Sequence, residues 1–101
     1  MSVYLIGFLR AKDWKWYREY RASSEPLVAK HGGRYLIKGG PLSWLEGDAA
    51  PPDAVVLIEF PSRTQAEGFY RDPDYRPMIS LRQTGCLTDL LIADGLAEPV
   101  P

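Results

Sequence analysis

The sequence contains a single cysteine, Cys86, and a single histidine, His31. One cysteine excludes an intrachain disulfide framework and a cysteine-rich zinc site, and it agrees with a reducing compartment. One imidazole without a cysteine or carboxylate at ligand spacing cannot form a transition-metal site by itself. We therefore expect no metal, no other cofactor and a cytoplasmic location.

An excess of basic charge and long apolar runs are also lacking. The chain has 12 Lys and Arg against 13 Asp and Glu, and its pI is near 5.8, so it has no basic field to hold nucleic acid. No apolar run approaches the roughly 18 residues that a membrane span needs, and no signal-peptide pattern occupies the start. We expect neither nucleic acid nor a membrane as partner. At 101 residues we expect one domain over residues 1–95, followed by a mobile tail over residues 96–101.

The most informative stretch that is present is Ala54–Phe60, which is β-branched and apolar on both of its alternating faces. Successive side chains of a strand point to opposite sides of a sheet, so helices on one side can bury only half of these residues. Val3–Leu9 has the same two-sided pattern, and Leu87–Ala93 resembles it apart from Asp89. The sheet therefore needs a second cover.

Capping signals and helical spacing divide the rest of the chain. Asp13 is a suitable N-cap for a helix over residues 14–30, in which Pro26 predicts a kink or a restart capped by Ser24. Ser62 and Gln65 have capping-box spacing for a second helix. The predicted order is strand 1–9, helix 14–30, strand 34–38, a short extended piece 42–46, strand 54–60, helix 63–71, helical segment 72–82 and strand 86–93. This order predicts an α+β, ferredoxin-like βαββαβ fold, with an antiparallel sheet and both main helices on one face.

The sheet face away from the helices predicts a homodimer. Leaving about six apolar strand side chains in water would forgo roughly 1.5–3 kcal/mol each, which in sum is comparable to the stability of a domain. An identical surface on a second copy is the simplest cover, and twofold pairing is the commonest symmetry of soluble oligomers. An aspartate at Leu5 or Leu57, whichever faces the partner, should therefore dissociate or unfold the protein.

Four segments carry a family resemblance: His31–Gly40, Trp44–Asp48, Val56–Ser62 and Phe69–Arg76. In this order and spacing they resemble the bacterial domain of unknown function 1330 family, over about residues 3–94. The resemblance implies a ferredoxin-like subunit of the dimeric α/β-barrel superfamily, where two sheets pack face to face, and it implies no established activity. Superfold relatives include cofactor-independent monooxygenases, chlorite-dismutase-like haem proteins and small-molecule isomerases, so the fold alone selects no function.

Three residues carry candidate chemistry, each with a structural alternative. His31 suits the end of a helix, where an imidazolium favours the dipole, and it is also a candidate general base or ligand contact. Glu59 lies in an apolar strand, so it is either an ion-pair partner of Arg34 or Lys38 or a general base with a raised pKa. Cys86 is expected to be a buried, inert hydrophobic residue rather than a nucleophile.

Two function classes follow. The first is a homodimeric binding protein whose cavity between helices and sheet holds a small aromatic or acidic metabolite. Its ligand-binding candidates are Tyr17, His31, Arg34, Tyr35 and Glu59, and we expect Tyr17, His31, Tyr35 and Glu59 to converge on that cavity. The second is a cofactor-independent enzyme of the monooxygenase or isomerase type, in which Glu59 or His31 removes a proton from an activated substrate.

Overall fold

A computed structural model of the protein describes residues 2–96. It contains one four-stranded antiparallel sheet with the strand order β2-β3-β1-β4. The elements in chain order are β1 (Val3–Ala11), α1 (Tyr17–Lys30), β2 (Arg34–Gly39), β3 (Ala54–Phe60), α2 (Arg63–Arg71), α3 (Arg76–Gln83) and β4 (Cys86–Asp94). The structure thus has the ferredoxin-like βαββαβ order with one additional helix, and it confirms the predicted α+β fold.

The helices cover one face of the sheet, which we call the inner face. The central pair β1 and β3 places Leu5 opposite Ile58, and both side chains are buried on this face. Val28 of α1 and Phe69 of α2 belong to the same core cluster. Both main helices therefore lie on one side of the sheet, as predicted. The remaining buried members of this cluster are Val3, Leu27, Phe60, Ala66 and Tyr75.

Helix α1 begins later than predicted. Its first residue is Tyr17 rather than Trp14, because the chain first makes a turn in which the Asp13 carboxylate accepts a hydrogen bond from the Lys15 backbone N–H (3.0 Å). The Trp16 indole N–H donates to the Asp13 carbonyl (2.7 Å), and its buried ring anchors this turn. Asp13 therefore caps a turn and not the helix.

Helix α1 then continues through Pro26 as a single helix. A single helix is what the sequence predicted, and of its two alternatives at Pro26 the restart capped by Ser24 does not occur, because this side chain is buried and its hydroxyl has no hydrogen-bond partner among the described residues. In α2 the predicted capping holds, since the Ser62 hydroxyl accepts from the Gln65 backbone N–H (3.1 Å).

The predicted extended piece at residues 42–46 is also wrong. Residues 40–53 form an irregular loop between β2 and β3, and residues 42–46 are all exposed, with Leu45 at 98% exposure. Within residues 2–96 no strand pairs with this segment, so its backbone forms no inter-strand hydrogen bonds. Helix α3 likewise begins at Arg76, after a turn over residues 73–75. Of the predicted mobile tail, only Leu96 lies within the described residues.

The other side of the sheet, the outer face, carries apolar side chains that the chain itself leaves half-covered. The face comprises Tyr4, Ile6, Phe8, Ile37, Val55, Leu57, Leu87 and Leu91, together with the charged residues Arg34, Glu59 and Asp89. Leu87 is 77% exposed, and Leu91 and Ile37 are close to half exposed. Within residues 2–96, no helix is both long enough and apolar enough to cross a membrane.

Candidate functional site

A cavity of about 60 Å³ lies between the inner face of the sheet and helices α1 and α3. Its walls are mostly apolar or aromatic, and they are formed by Leu5, Leu9, Tyr17, Tyr20, Tyr35, Val56, Ile58, Phe69, Tyr75, Thr88 and Leu90. Charged side chains also line it, namely Arg21, Glu25, Lys38 and Arg82. Small-molecule pockets usually measure roughly 300–1,000 Å³, and a cavity of about 150 Å³ holds benzene, so a ligand with a ring would have to displace the walls of this cavity.

The aromatic lining comes from α1, α2, β2 and the residue before α3. Tyr17 and Tyr20 are three residues apart on α1, so they lie on one face of the helix. Tyr35 lies on β2 opposite Ile58, which places it on the inner face. Tyr75 immediately precedes α3, and its ring packs against Phe69 with 4.4 Å between the ring centroids. The sheet and helices thus converge on one apolar space.

The principal polar feature of the cavity is Arg82 on α3, whose side chain is only 4% exposed. Its Nη1 donates hydrogen bonds to the hydroxyls of Tyr75 (2.9 Å) and Tyr20 (3.1 Å). These two hydroxyl oxygens are 2.5 Å apart, so one hydroxyl donates to the other. The Nε of Arg82 is buried and has no partner among residues 2–96. A buried guanidinium is therefore held by two neutral hydroxyls rather than by a carboxylate.

A cluster of three charged side chains forms the more exposed part of the lining. The carboxylate of Glu25 accepts from Arg21 Nε (2.9 Å) and forms a salt bridge with Lys38 Nζ. Lys38 also lies over the Tyr35 ring, 4.6 Å from its centroid. Among the described lining residues, three cations including Arg82 face one carboxylate, which leaves a net charge of +2. The cavity is therefore electropositive.

Burial shifts the pKa of three side chains that line the cavity, Tyr35, Tyr75 and Lys38. It raises the pKa of the Tyr35 hydroxyl well above its usual range. It also raises the pKa of Tyr75, although the neighbouring Arg82 opposes the shift. Desolvation lowers the pKa of Lys38, and Arg21 adds to this effect. Tyr35 and Tyr75 are therefore neutral near pH 7 and act as hydrogen-bonding groups, not as bases.

Of the five ligand-binding candidates from the sequence, only Tyr17 and Tyr35 line the cavity. The predicted convergence of Tyr17, His31, Tyr35 and Glu59 is wrong. Glu59 lies between Ile58 and Phe60, whose side chains are on the inner face, so strand alternation sends it to the outer face. His31 follows Tyr17 by 14 residues of helix, a rise of about 21 Å, which places it at the far end of α1.

Glu59 forms the structural ion pair that was one of the two alternatives. Its carboxylate accepts from Arg34 Nε (2.7 Å) and from the Tyr4 hydroxyl (3.2 Å). Arg34 lowers the pKa of Glu59, and the Tyr4 hydroxyl contributes to the same shift. A carboxylate stabilised in its charged form is a weak base. A general base would instead need a raised pKa.

His31 is the C-cap residue of α1 and pairs with Asp72 at the end of α2. Its Nε2 is 2.8 Å from Asp72 Oδ2, and Lys30 Nζ is 2.9 Å from the same oxygen. Both contacts keep the pKa of the Asp72 carboxyl far below its usual range, and the hydrogen bond with His31 has the larger effect on this pKa. The cluster joins two helix ends. Cys86 is a buried free thiol in β4.

Sequence reasoning missed Tyr20, Tyr75 and Arg82 as members of one polar cluster. A signal for Arg82 was present, because it follows Met78 by four residues and Ile79 by three on the apolar stripe of α3. A cation on an apolar stripe is unusual and marks a buried charge. Within residues 2–96, no group of three or more His, Cys, Asp or Glu side chains is arranged to hold a metal ion.

The sheet, the helices and the cavity between them define a ferredoxin-like α+β protein. The family model described as domain of unknown function (DUF1330) matches residues 2–96. The chain therefore belongs to this family, in agreement with the resemblance found in its sequence. Among curated proteins, none is similar enough to match.

Solved structures with a similar fold cover nearly the whole chain. A protein of unknown function from Rhodopseudomonas palustris, RPA0582, has a TM-score of 0.80 and 22% identity, over 96% of this chain and 84% of that one. A dimeric ferredoxin-like protein of unknown function from Jannaschia sp. CCS1 has a TM-score of 0.71 and 12% identity, over 94% and 100%. SnoaB, a cofactor-independent oxygenase from Streptomyces nogalater, has a TM-score of 0.66 and 8% identity, over 96% and 95%. At these identities the similarities establish the fold alone.

Proposed function

We propose that the protein is a cytoplasmic homodimer, a dimeric α/β barrel, in which each subunit binds a small aromatic or acidic metabolite in the cavity beneath α1 and α3. The observation that carries this proposal is Arg82, a guanidinium buried in an otherwise largely apolar cavity without a carboxylate partner among the described residues. Burying a charge without an ionic partner costs roughly several kcal/mol, and within the described residues Arg82 has only two neutral hydroxyls and the Tyr20 ring, 5.6 Å from its Cζ, as compensation. A reducing compartment suits the free, buried thiol of Cys86.

The homodimer is supported by the outer face of the sheet. Its apolar residues, including Leu57, Leu87 and Leu91, lie together on a surface that a second identical sheet would cover. The protein from Jannaschia with a similar fold is described as dimeric. The cavity lies on the inner face, so dimer formation leaves it available to ligands.

The binding proposal is tested by calorimetric titration of the purified protein with single-ring aromatic and acidic compounds. We expect saturable binding with one site per chain for at least one of them. Val56→Leu adds a methylene group to the cavity wall and should weaken that binding, because the cavity is small. Ala22→Leu adds apolar atoms on the exposed face of α1 and serves as the matched control. The absence of binding across the set, or equal binding by Val56→Leu, would contradict the proposal.

A cofactor-independent monooxygenase or isomerase with Glu59 or His31 as the base is the second candidate. The support for it is the fold shared with the oxygenase SnoaB. Neither Glu59 nor His31 lines the cavity, so a substrate of such an enzyme would have to bind at the outer face or beside Asp72. Substrate-dependent oxygen consumption for a monooxygenase, or oxygen-independent conversion of the substrate to an isomer, would support this candidate over simple binding if it were lost in Glu59→Gln or His31→Gln with the fold retained.

A further inference from the structure

The loop over residues 40–53, which we call the β2–β3 loop, is held against the outer face of the sheet. Arg10 follows Phe8 by two residues on β1, so both side chains point to this face. Arg10 Nη1 donates hydrogen bonds to the loop carbonyls of Ala50 (3.2 Å) and Pro51 (3.3 Å). Hairpin loops usually have roughly 2–5 residues, so this loop is longer than the connection requires. It has length available for contacts of its own.

The tip of the β2–β3 loop presents apolar side chains to solvent. Leu45 is 98% exposed and Trp44 is 52% exposed. The tip has a fixed shape, because the Trp44 indole N–H donates to the Ala49 carbonyl. Trp44 also lines a recess of about 100 Å³ together with Phe8 and Val55 of the outer face. The loop tip and the outer face therefore form one continuous apolar surface.

Leu87 lies at the same end of the outer face as this loop, but at the opposite edge of the sheet. It is the ladder partner of Arg10, the residue that holds the loop. Leu87 belongs to the edge strand β4, whereas the loop leaves the other edge strand, β2. Its side chain is 77% exposed. One end of the outer face thus has an apolar loop tip on one side and an exposed leucine on the other.

The other end of the outer face is charged. Arg34 and Glu59 form their ion pair there, and the Tyr4 hydroxyl donates to the same carboxylate. An apolar side chain placed on this pair would remove water from both charges and offer no hydrogen bond in return. The loop tip of a second copy is therefore suited to the Leu87 end and not to this one.

The polarity of the two ends selects one symmetry. Two identical sheets that face each other are related by a twofold axis that lies between them. An axis along the strands exchanges the two edges, which brings Leu45 of one copy over Leu87 of the partner subunit. An axis across the strands exchanges the two ends, which brings Leu45 over the Arg34–Glu59 pair. The first arrangement removes apolar surface from water on both sides of the contact, so it is the favoured one.

We propose that the β2–β3 loop is a dimerisation arm, in which Trp44 and Leu45 of each copy pack against Leu87 of the partner subunit. This assignment rests on the proposed homodimer and specifies its symmetry and its contacts. The contact occurs twice in each dimer, because a twofold interface uses the same surface on both copies.

The arm is tested by the dimer dissociation constant, measured by dilution of fluorescently labelled protein. Leu45→Asp should fold like the wild type, because Leu45 is almost wholly exposed within one chain. It should raise the dissociation constant at least roughly tenfold, since both copies of the contact are lost. Leu87→Asp should do the same, while Ser80→Asp on exposed α3 should match the wild type. A wild-type dimer that is unaffected by Leu45→Asp would overturn the arm and leave the homodimer standing, whereas a monomeric wild type would overturn both.

Pairs of introduced cysteines distinguish the two symmetries in a Cys86→Ala background. Leu45→Cys combined with Leu87→Cys should give a covalent dimer on oxidation, since a disulfide needs Cα atoms within about 7 Å. Leu87→Cys alone should not, because Leu87 of the partner subunit would lie over the β2 edge, three strand spacings or roughly 14 Å away. Leu45→Cys combined with Arg34→Cys reports the other axis. A covalent dimer from this second pair, or none from the first, would overturn the assignment.

Discussion

At the scale of single residues, the molecule contains two kinds of buried or half-buried charge. Asp72 is surrounded by partners, since His31, Lys30 and the Asp74 backbone N–H all contact its carboxylate. Arg82 instead has two tyrosine hydroxyls and an unpaired Nε among the described residues. The first arrangement is that of a structural ion cluster. The second is a buried cation held by neutral groups, with its guanidinium 5.6 Å from the centroid of the Tyr20 ring.

Replacement of Arg82 by methionine should therefore leave the folded protein at least as stable as the wild type. Arg82→Met removes a desolvated charge while keeping much of the side-chain volume, and Tyr20 and Tyr75 can still bond to each other. We expect the free energy of unfolding to be unchanged or to rise by about 1–3 kcal/mol in chemical denaturation. The control is Arg18→Met on exposed α1, which should stay within about 0.5 kcal/mol. A loss of 3 kcal/mol or more, roughly, would show that Arg82 is structural.

Asp72 gives the protein a specific acid sensitivity. Its pKa in the folded state lies below the ordinary value of 3.8 because His31 and Lys30 stabilise the carboxylate. The carboxylate therefore contributes stability above the ordinary pKa, and this contribution is lost as the pH falls towards the folded-state pKa. Asp72→Asn should lower the melting temperature at neutral pH and flatten its decline below about pH 4.

The exposed loop residue Asp48 supplies the comparison for this effect. Asp48→Asn should keep both the neutral-pH stability and the acid-dependent decline of the wild type. The same acid dependence in Asp72→Asn and wild type would contradict the assigned role of Asp72.

At the scale of elements, the strands were largely predictable and the connections were not. The two-sided apolar pattern of Ala54–Phe60 identified the central strand because burial on both faces imposes that pattern. The late start of α1 at Tyr17 was not predictable, since it depends on burial of Trp16 against other elements. Residues 42–46 resemble a strand locally, but pairing needs a neighbour that the local sequence does not specify.

The candidate site was predictable only in part for the same physical reason. Tyr17 and Tyr35 were found because helical spacing and strand alternation assign a residue to a face. Their position along the element also matters, and His31 shares the helix of Tyr17 but lies at its other end. The cluster around Arg82 depends on tertiary packing of α1 against α3, which no local pattern encodes.

Gly33 fixes the junction between α1 and β2. A Cβ atom at this position would lie 2.6 Å from the ring of Phe60 and 2.9 Å from Val28. Phe60 is fully buried, so its ring cannot move aside without disturbing the core. Gly33→Ala should lower the free energy of unfolding by about 1–3 kcal/mol in chemical denaturation. Gly40→Ala places its Cβ 3.5 Å from the nearest atom, in ordinary contact, and should have little effect; equal stability of the two variants would contradict this packing.

At the scale of the whole molecule, the outer face is the proposed contact between two copies. The structure resolves the choice between Leu5 and Leu57, because Leu5 is buried in the core and Leu57 lies half-buried on the outer face. We expect the wild type to have twice the 11.4 kDa chain mass in light scattering. Leu57→Asp should give monomers or weaken the dimer strongly, because it places a charge in the apolar contact.

Ser80→Asp on the exposed side of α3 introduces the same charge away from the outer face and should leave the dimer intact. A wild-type protein that stays monomeric at micromolar concentration would refute the dimer. It would leave the cavity proposal standing, because the cavity is formed within one chain.

The cavity and the dimer are tested together by a crystal structure of the wild-type protein grown with the compound that binds most tightly in the calorimetric titration. We expect that compound beside Tyr17, Tyr35 and Phe69, with the cavity walls displaced to admit it, and two copies packed through their outer sheet faces. A compound found only on the surface of the protein, with the walls of the cavity unmoved, would contradict the proposal that this cavity is a binding site.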